Sequence, residues 1–193
     1  MKLISLLRTS LVAGAALVSQ WAQAQTIARS SAVAVASDGR GGFNAAFGDS
    51  FTAASTGSSF SDIFTFERAI GFDAAASLTS SYLNNPSTKD LLITGLSLYR
   101  YDPATMAIIG TAVAGVDQGG FGSLPLDAWA LAGFDLPGGD YALKVDGRVL
   151  GAGGGAFGGD LTIAPIPEPR AWGLLLGGLA AGAVLVRRRS GRT

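Results

Sequence analysis

Residues 60–67 read FSDIFTFE, and phenylalanine occupies three of the four even-numbered positions of this stretch, 60, 64 and 66. Phe60, Asp62, Phe64 and Phe66 fall on one face of an extended chain, because successive side chains of a strand point to opposite faces. A period of two over this length is typical of a half-buried β-strand. The three phenylalanines predict that their face lies against a hydrophobic core, and Asp62 is expected on that same face.

The same period recurs along the chain. Leu92, Thr94, Leu96 and Leu98 are expected to share one face of a second strand. Further strands are predicted at 127–131, 141–146 and 161–163, with turn residues at 84–86, 102–103, 117–120 and 137–139. Short strands at this spacing predict an all-β fold, an antiparallel β-sandwich with jelly-roll-like connections.

Two segments are expected to lie outside regular pairing. Gly151–Gly159 consists mostly of glycine and predicts a flexible or bulged hairpin loop. Pro125 has no backbone N–H to donate, so it is expected at a strand start, on an edge strand or outside the sheets.

Composition excludes several kinds of site. The chain contains no cysteine and no histidine, which rules out disulfides, Cys- or His-based zinc sites, thiol nucleophiles and imidazole catalysis. Residues 25–165 carry thirteen acidic and seven basic side chains, a net charge of −6, although the whole chain is formally neutral. An acidic domain argues against nucleic acid and anionic lipid as partners. No cofactor, metal or catalytic residue is predicted.

The amino-terminal residues have the pattern of a secretory signal peptide. Lys2 and Arg8 give a positive start, an apolar stretch follows, and Ala22 and Ala24 supply the small residues of a cleavage site. The pattern predicts a signal helix over 1–24 and a mature chain that begins at Gln25. An uncleaved anchor helix is the alternative.

The carboxy-terminal residues have the pattern of a membrane anchor. Ala171–Val186 is sixteen residues without a charge, about 24 Å as a helix at about 1.5 Å per residue, and Arg187, Arg188 and Arg189 follow it. A helix of this length spans a bilayer marginally, and the arginines favour a cytoplasmic carboxy terminus. A buried core helix is the alternative. The predicted division is a signal at 1–24, a β-domain at 25–163, a Pro-rich linker at 164–170 and a single transmembrane helix with a basic tail at 171–193.

The motif Pro167-Glu168-Pro169, followed by the apolar stretch and the arginines, resembles a PEP-CTERM sorting signal. Phe60, Asp62 and Phe64 match the Phe-x-Asp-x-Phe signature of one group of PEP-CTERM proteins. The resemblance implies export across the inner membrane of a Gram-negative cell and a transient partner, an exosortase-like membrane protease. It implies location at the cell surface or outside the cell after processing, and a link with the cell envelope and exopolysaccharide.

Asp62 is the candidate site residue within the β-domain. A carboxylate on a core face must be hydrogen-bonded or paired. The structural interpretation is a bond to turn N–H groups or a pair with an arginine such as Arg68 or Arg100. The functional interpretation is a calcium or sugar ligand.

Other candidate residues have ordinary structural explanations. The aspartates beside glycines are oxygen donors of the kind that calcium takes from loops, or else turn residues; they are Asp38, Asp49, Asp117, Asp140 and Asp160. Tyr82, Tyr99, Tyr101 and Trp129 are candidates for stacking on sugars, or else for cross-strand packing. The only glutamates are Glu67 and Glu168, and nothing marks a glycosidase acid/base pair.

The sequence therefore predicts an exported, non-enzymatic surface or matrix protein that is sorted and processed through its carboxy-terminal signal. The alternative is a carbohydrate- or calcium-binding β-sandwich module associated with exopolysaccharide. An enzymatic function is the least favoured interpretation of the sequence.

Overall fold

The computed structural model describes residues 25–119, 127–166 and 179. A single short 3-10 helix, Ala53–Ser55, accompanies the strands of the two long ranges. The strands are β1 (Thr26–Ala32), β2 (Ala36–Ser37), β3 (Phe43–Phe51), β4 (Ser59–Arg68), β5 (Phe72–Ser80), β6 (Leu91–Tyr101), β7 (Ile108–Ala114), β8 (Val116–Asp117), β9 (Ala128–Leu136), β10 (Gly139–Val149) and β11 (Gly155–Pro165).

The strands form two sheets. The first sheet has the order β1-β4-β10-β6-β7, and the second has the order β2-β3-β11-β5-β9-β8. Every pair is antiparallel except β1 and β4, which run parallel at the edge of the first sheet. The all-β prediction is confirmed, and two packed, mainly antiparallel sheets are the arrangement of a β-sandwich.

Aromatic side chains of β4 join the two sheets. Phe60 lies 4.6 Å from Phe51 and 5.5 Å from Phe157, ring centre to ring centre, and both partners belong to the second sheet. Phe64 lies 5.3 Å from Phe47 on the same sheet. The predicted inward face of residues 60–66 is therefore confirmed, since Phe60, Asp62, Phe64 and Phe66 are all buried.

A second aromatic group continues this core. Phe66 and Tyr141 stack at 5.9 Å within the first sheet, and Phe72 of the second sheet meets the Tyr141 ring edge-on at 5.0 Å. The Tyr141 hydroxyl donates to the Pro137 carbonyl oxygen at 2.8 Å, so its polar end is satisfied while the ring is buried.

The strand predicted around 92–98 has the wrong face in its first half, because Leu92 and Thr94 do not share the buried face of Leu96 and Leu98. Leu91 and Ile93 are the buried residues at the start of β6, and Leu96 and Leu98 are buried further along. The register with β10 shifts so that Gly95 pairs with Asp146 and Ile93 pairs with Gly147. Thr94 is the extra residue of a β-bulge, which exchanges the two faces of the strand.

The glycine-rich segment 151–159 is only partly a loop, contrary to the prediction. Strand β11 begins at Gly155, and Gly159 pairs with Phe47 and Leu78 inside the second sheet. A Cβ on Gly159 would lie 2.2 Å from the Ser77 carbonyl oxygen and 2.7 Å from Cζ of Phe47. Glycine is required there by close packing rather than by loop flexibility.

The ends of the predicted segments also differ from the structure. Strand β11 continues to Pro165, two residues beyond the predicted domain end, and β9 (Ala128–Leu136) is longer than the strand predicted at 127–131.

The signal at 1–24, Pro125 and the transmembrane segment lie outside the described residues. Within the described ranges, no helix has the length and apolar character needed to cross a bilayer.

The packing of Gly159 gives a test. Gly159→Ala should lower the free energy of unfolding by about 1–3 kcal/mol, because the new methyl group overpacks the site. The measurement is urea unfolding followed by circular dichroism.

Gly158→Ala is the matched control, because nothing lies within 4 Å of a Cβ at Gly158. Its free energy of unfolding should stay within about 0.5 kcal/mol of the unchanged protein. Equal losses in the two variants would show that the contact with Ser77 and Phe47 is not what requires glycine at 159.

Candidate functional site

Three aspartates of the described domain are buried: Asp62, Asp90 and Asp127. Asp127 joins strands β5, β6 and β9, and Asp90 organises the loop before β6. The donors to Asp127 are Ser80 Oγ at 2.7 Å, the Ile93 amide at 2.6 Å and Trp129 Nε1 at 3.2 Å. The donors to Asp90 are the Leu83 amide at 3.2 Å and the Asn85 amide at 2.7 Å. Both carboxylates are thus held by the N–H and O–H groups that a buried charge requires.

Asp62 differs from the other two. Its exposed fraction is 2 %, and neither Oδ1 nor Oδ2 accepts a hydrogen bond from any described residue. Its position in β4 is fixed by the phenylalanines on either side, which turn the same face toward the core. A buried carboxylate without donors is costly, so this group stands out as the candidate functional residue.

Arg29 and Asp49 are the charged neighbours of Asp62. Arg29 lies opposite Asp62 in the parallel β1–β4 register, and its guanidinium pairs with the Asp49 carboxylate of β3. It also donates to the Ser50 carbonyl oxygen at 3.4 Å and lies 4.8 Å from the centre of the Phe51 ring. Arg29 therefore ties the edge strand of the first sheet to a strand of the second.

The predicted arginine partners of Asp62 are wrong. The Arg68 guanidinium lies over the Phe43 ring at 3.7 Å, a cation–π contact. Arg100 pairs with Tyr141 in the β6–β10 register. The sequence could not reveal that Arg29 and Asp49 are the neighbours of Asp62, because β1 and β3 reach Asp62 only through the tertiary fold.

The pKa of the Asp62 carboxyl is raised to about 7. Burial is the main cause, and the negative charge of Asp49 adds to it, while Arg29 acts in the opposite direction. Hydrogen bonding with Asp49 and the charge of Asp146 raise the pKa further. When protonated, Asp62 can donate its O–H to the Asp49 carboxylate.

A recess opens beside these side chains at one edge of the sandwich. It has a volume of about 500 Å³. Its lining includes Arg29, Ser30, Ser31, Asp49, Asp62 and Phe64. Strand β2 pairs with β3 only at Phe43 and Asn44, so the remainder of this edge of β3 has no strand partner among the described residues. We call this space the edge recess.

The other predicted ligands do not converge on a site. Asp38 accepts the Arg40 and Gly42 amides at 2.7 Å and 2.9 Å, and Asp117 accepts the Gly119 amide at 2.7 Å, so the turn interpretation is confirmed for both. Across the part of the chain that the structure describes, no three acidic side chains come together as a metal-binding group would require.

The candidate aromatics contribute to packing. Tyr99 is buried, and Trp129 packs against the core with its Nε1 bonded to Asp127. The packing interpretation is confirmed for these two side chains. The cleavage residues Ala22 and Ala24, the motif Pro167-Glu168-Pro169 and Arg187–Arg189 lie outside the described residues.

The raised pKa of Asp62 predicts an unusual pH dependence of stability. The native state holds this proton up to about pH 7, whereas an unfolded aspartate releases it near 3.8. The free energy of unfolding should therefore fall as pH rises from about 4 to 7, by up to roughly 4 kcal/mol from this group. Asp62→Asn should remove that fall and be more stable than the unchanged protein at pH 8.

The matched control is Asp127→Asn, which removes charge from a carboxylate that has three donors. It should lose about 2 kcal/mol at pH 8, because hydrogen bonds to a charged group are lost. Urea unfolding from pH 4 to pH 8 measures both variants. A loss of stability at pH 8 in Asp62→Asn comparable to that of Asp127→Asn would mean that Asp62 is a satisfied structural carboxylate.

No family model and no curated protein matches the chain. Among solved structures, it is similar to the pre-peptidase C-terminal domain of a collagenase from Bacillus anthracis, at 14% identity and a TM-score of 0.37 over 71% of this chain and 96% of that one. It is also similar to PliG of Aeromonas hydrophila, a periplasmic inhibitor of g-type lysozyme, at 14% identity and a TM-score of 0.33 over 72% and 98%. These likenesses assign neither a family nor a function.

Proposed function

We propose that the chain is an exported, non-enzymatic surface or matrix protein that is sorted and processed through its carboxy-terminal signal. One observation carries the proposal. Strand β11 ends at Pro165, and the amide of the next residue, Ile166, donates to the Gly71 carbonyl oxygen at 3.0 Å. The motif Pro167-Glu168-Pro169 follows directly in the sequence, so it comes immediately after a segment that is bonded into the described domain.

The remaining steps of this proposal follow from the predicted segments. The signal at 1–24 directs export, and the helix within 171–193 holds the chain in the membrane until an exosortase-like protease cuts near the motif. The product is then released to the cell surface or the medium.

The proposed sandwich is of the jelly-roll type, and the interleaved strand orders β3-β11-β5-β9 and β4-β10-β6-β7 support it.

The Arg29–Asp49 ion pair supports a non-enzymatic role. Glycosidases use two carboxyls that flank the scissile bond as acid and base or nucleophile. Asp49 is instead held in an ion pair with Arg29, so it is not left open beside Asp62 as the second carboxyl of such a pair would be.

A second candidate function is a ligand-binding module, for a carbohydrate or for calcium. The observation that favours it is the edge recess itself, about 500 Å³ in volume, whose lining includes Arg29, Asp49 and Asp62. Such a module can operate on the released domain, so the two proposed functions are compatible.

Glu168→Ala tests the sorting proposal. A carboxy-terminal epitope on the full chain should be lost from the unchanged protein as the tail is removed, and Glu168→Ala should retain it several-fold longer. Pulse labelling in a host that encodes an exosortase-like protease measures the rate.

Glu67→Ala is the matched control, because Glu67 is the only other glutamate and is exposed on β4. It should be processed at the unchanged rate. Equal processing rates of the unchanged protein, Glu168→Ala and Glu67→Ala would show that the motif is not the signal for processing.

A further inference from the structure

We propose that a cleft beside β7 binds a small organic carboxylate with an apolar body, and that the Arg100 guanidinium pairs with the carboxylate group of this ligand. The site is separate from the edge recess, because β7 and β1 form opposite edges of the first sheet. The inference therefore goes beyond the sorting signal and beyond the ligand classes considered for the recess.

The walls of the cleft are apolar and come from both sheets. Leu98, Tyr141, Ile109 and Val113 belong to the first sheet, and Leu136 ends strand β9 of the second. We call this space the β7 cleft. Its volume of about 240 Å³ is below the range of about 300–1,000 Å³ that is common for pockets of drug-sized ligands. A body of one ring with a short side chain is therefore the size that suits it.

A bulge in β7 shapes one side of the cleft. Arg100 pairs with Ile109, and the next pair along the two strands is Leu98 with Val113, so three residues of β7 oppose a single residue of β6. Extra residues in one strand bend it out of the regular ladder. Thr111, the middle one of the three, lines the cleft.

Gly139 leaves room for the Arg100 guanidinium. A Cβ on Gly139 would lie 2.7 Å from Nε and 3.2 Å from Cζ of Arg100. Burial raises the pKa of the Tyr141 hydroxyl, and the positive charge of Arg100 opposes that rise, so the guanidinium lies near this wall of the cleft. A charge that is already in place lowers the entropy cost of binding.

Arg100 has no acidic partner in the described domain. The ion pairs of the described residues use Arg29 and Lys144 as their cations, although residues 25–165 carry thirteen acidic side chains. Arg100 is half-buried, and its nitrogens are not among the described buried atoms that lack a hydrogen bond. Its N–H groups are therefore open to an anion that enters the cleft.

The cation and the walls together select the ligand class. A guanidinium can donate two parallel hydrogen bonds to one carboxylate. A neutral apolar ligand would cover the N–H groups of Arg100 without offering them an acceptor, which is costly. Phosphate would place strongly hydrated oxygens against Leu98 and Leu136, which is costly for the same reason. A monocarboxylate with an apolar body avoids both costs.

The test uses the full chain in a non-ionic detergent. Phenylacetate and benzoate are the probes. Acetate supplies the carboxylate without the ring, phenylacetamide supplies the ring without the charge, and inorganic phosphate is the polar anion. Titrations followed by saturation-transfer NMR measure the dissociation constants. At least one aromatic acid should bind at millimolar concentration or below, and Arg100→Gln should weaken its binding about tenfold or more, because hydrogen bonds to a charged group are lost.

Arg148→Gln is the matched control, because Arg148 is an exposed arginine of β10 that lies outside the cleft. It should bind both acids as the unchanged protein does. Ile109→Ala is a second cleft variant. The Ile109 side chain is 45% exposed, so its loss should leave the fold intact and weaken binding several-fold by removing apolar contact. Near-ultraviolet circular dichroism verifies the fold of each variant.

The outcomes test each part of the proposal. Equal binding by the unchanged protein and Arg100→Gln would overturn the assignment to this cleft. Phenylacetamide that binds as tightly as phenylacetate would overturn the pairing with the guanidinium, and phosphate that binds more tightly than both acids would overturn the apolar body. Absence of binding by both aromatic acids would overturn the proposal as a whole. The sorting proposal is decided separately by Glu168→Ala.

Discussion

The packing of one strand face against the opposite sheet holds this structure together. Phe60 and Phe64 on β4 contact Phe51, Phe47 and Phe157 on the second sheet, so the aromatic contacts join the sheets directly. A shift of β4 by one residue would turn all of its phenylalanines toward solvent. The register of β4 with β10, and of β1 with β4, is therefore specified by the need to keep this face buried. Without cysteine, the domain relies on such packing and on the hydrogen bonds of its sheets.

The same register places Asp62 on the buried face of β4. Because Asp62 lies between Phe60 and Phe64, the packing that buries the rings also carries a carboxyl into the core face. Asp90 and Asp127 are buried too, but Asp90 accepts two loop N–H groups and Asp127 accepts the backbone N–H of Ile93 in β6. Asp62 instead lies beside the Asp49 carboxylate and the edge recess. An isosteric amide at this position would avoid the cost of burying the charge.

The sequence predicts local features of this fold better than distant contacts. The alternation at 60–67 and 141–146 gives the buried faces correctly, and the turn residues at 102–103 and 137–138 lie between strands as expected. The buried face of β6 was predicted wrongly in its first half, because the bulge at Thr94 is set by the pairing with β10. The sequence of β6 alone does not show where such a bulge lies. The glycines of β11 looked like a loop because their close neighbours, such as Ser77, are distant in sequence. Arg29 was missed for the same reason, although it stands in alternation with the partly buried Ile27 and Val33. Asp49 was named as a candidate oxygen donor, but its position beside Asp62 depends on the packing of the two sheets.

The raised pKa of Asp62 distinguishes this carboxyl from the other buried aspartates, and a titration of its carboxyl carbon by 13C NMR measures it most directly. Comparison with Asp62→Asn assigns the signal. A midpoint near 7 is the expected result, because burial and the charge of Asp49 both favour the protonated form. A midpoint near 3.8, the ordinary value of an aspartate, would contradict a buried and unpartnered carboxyl at the edge recess.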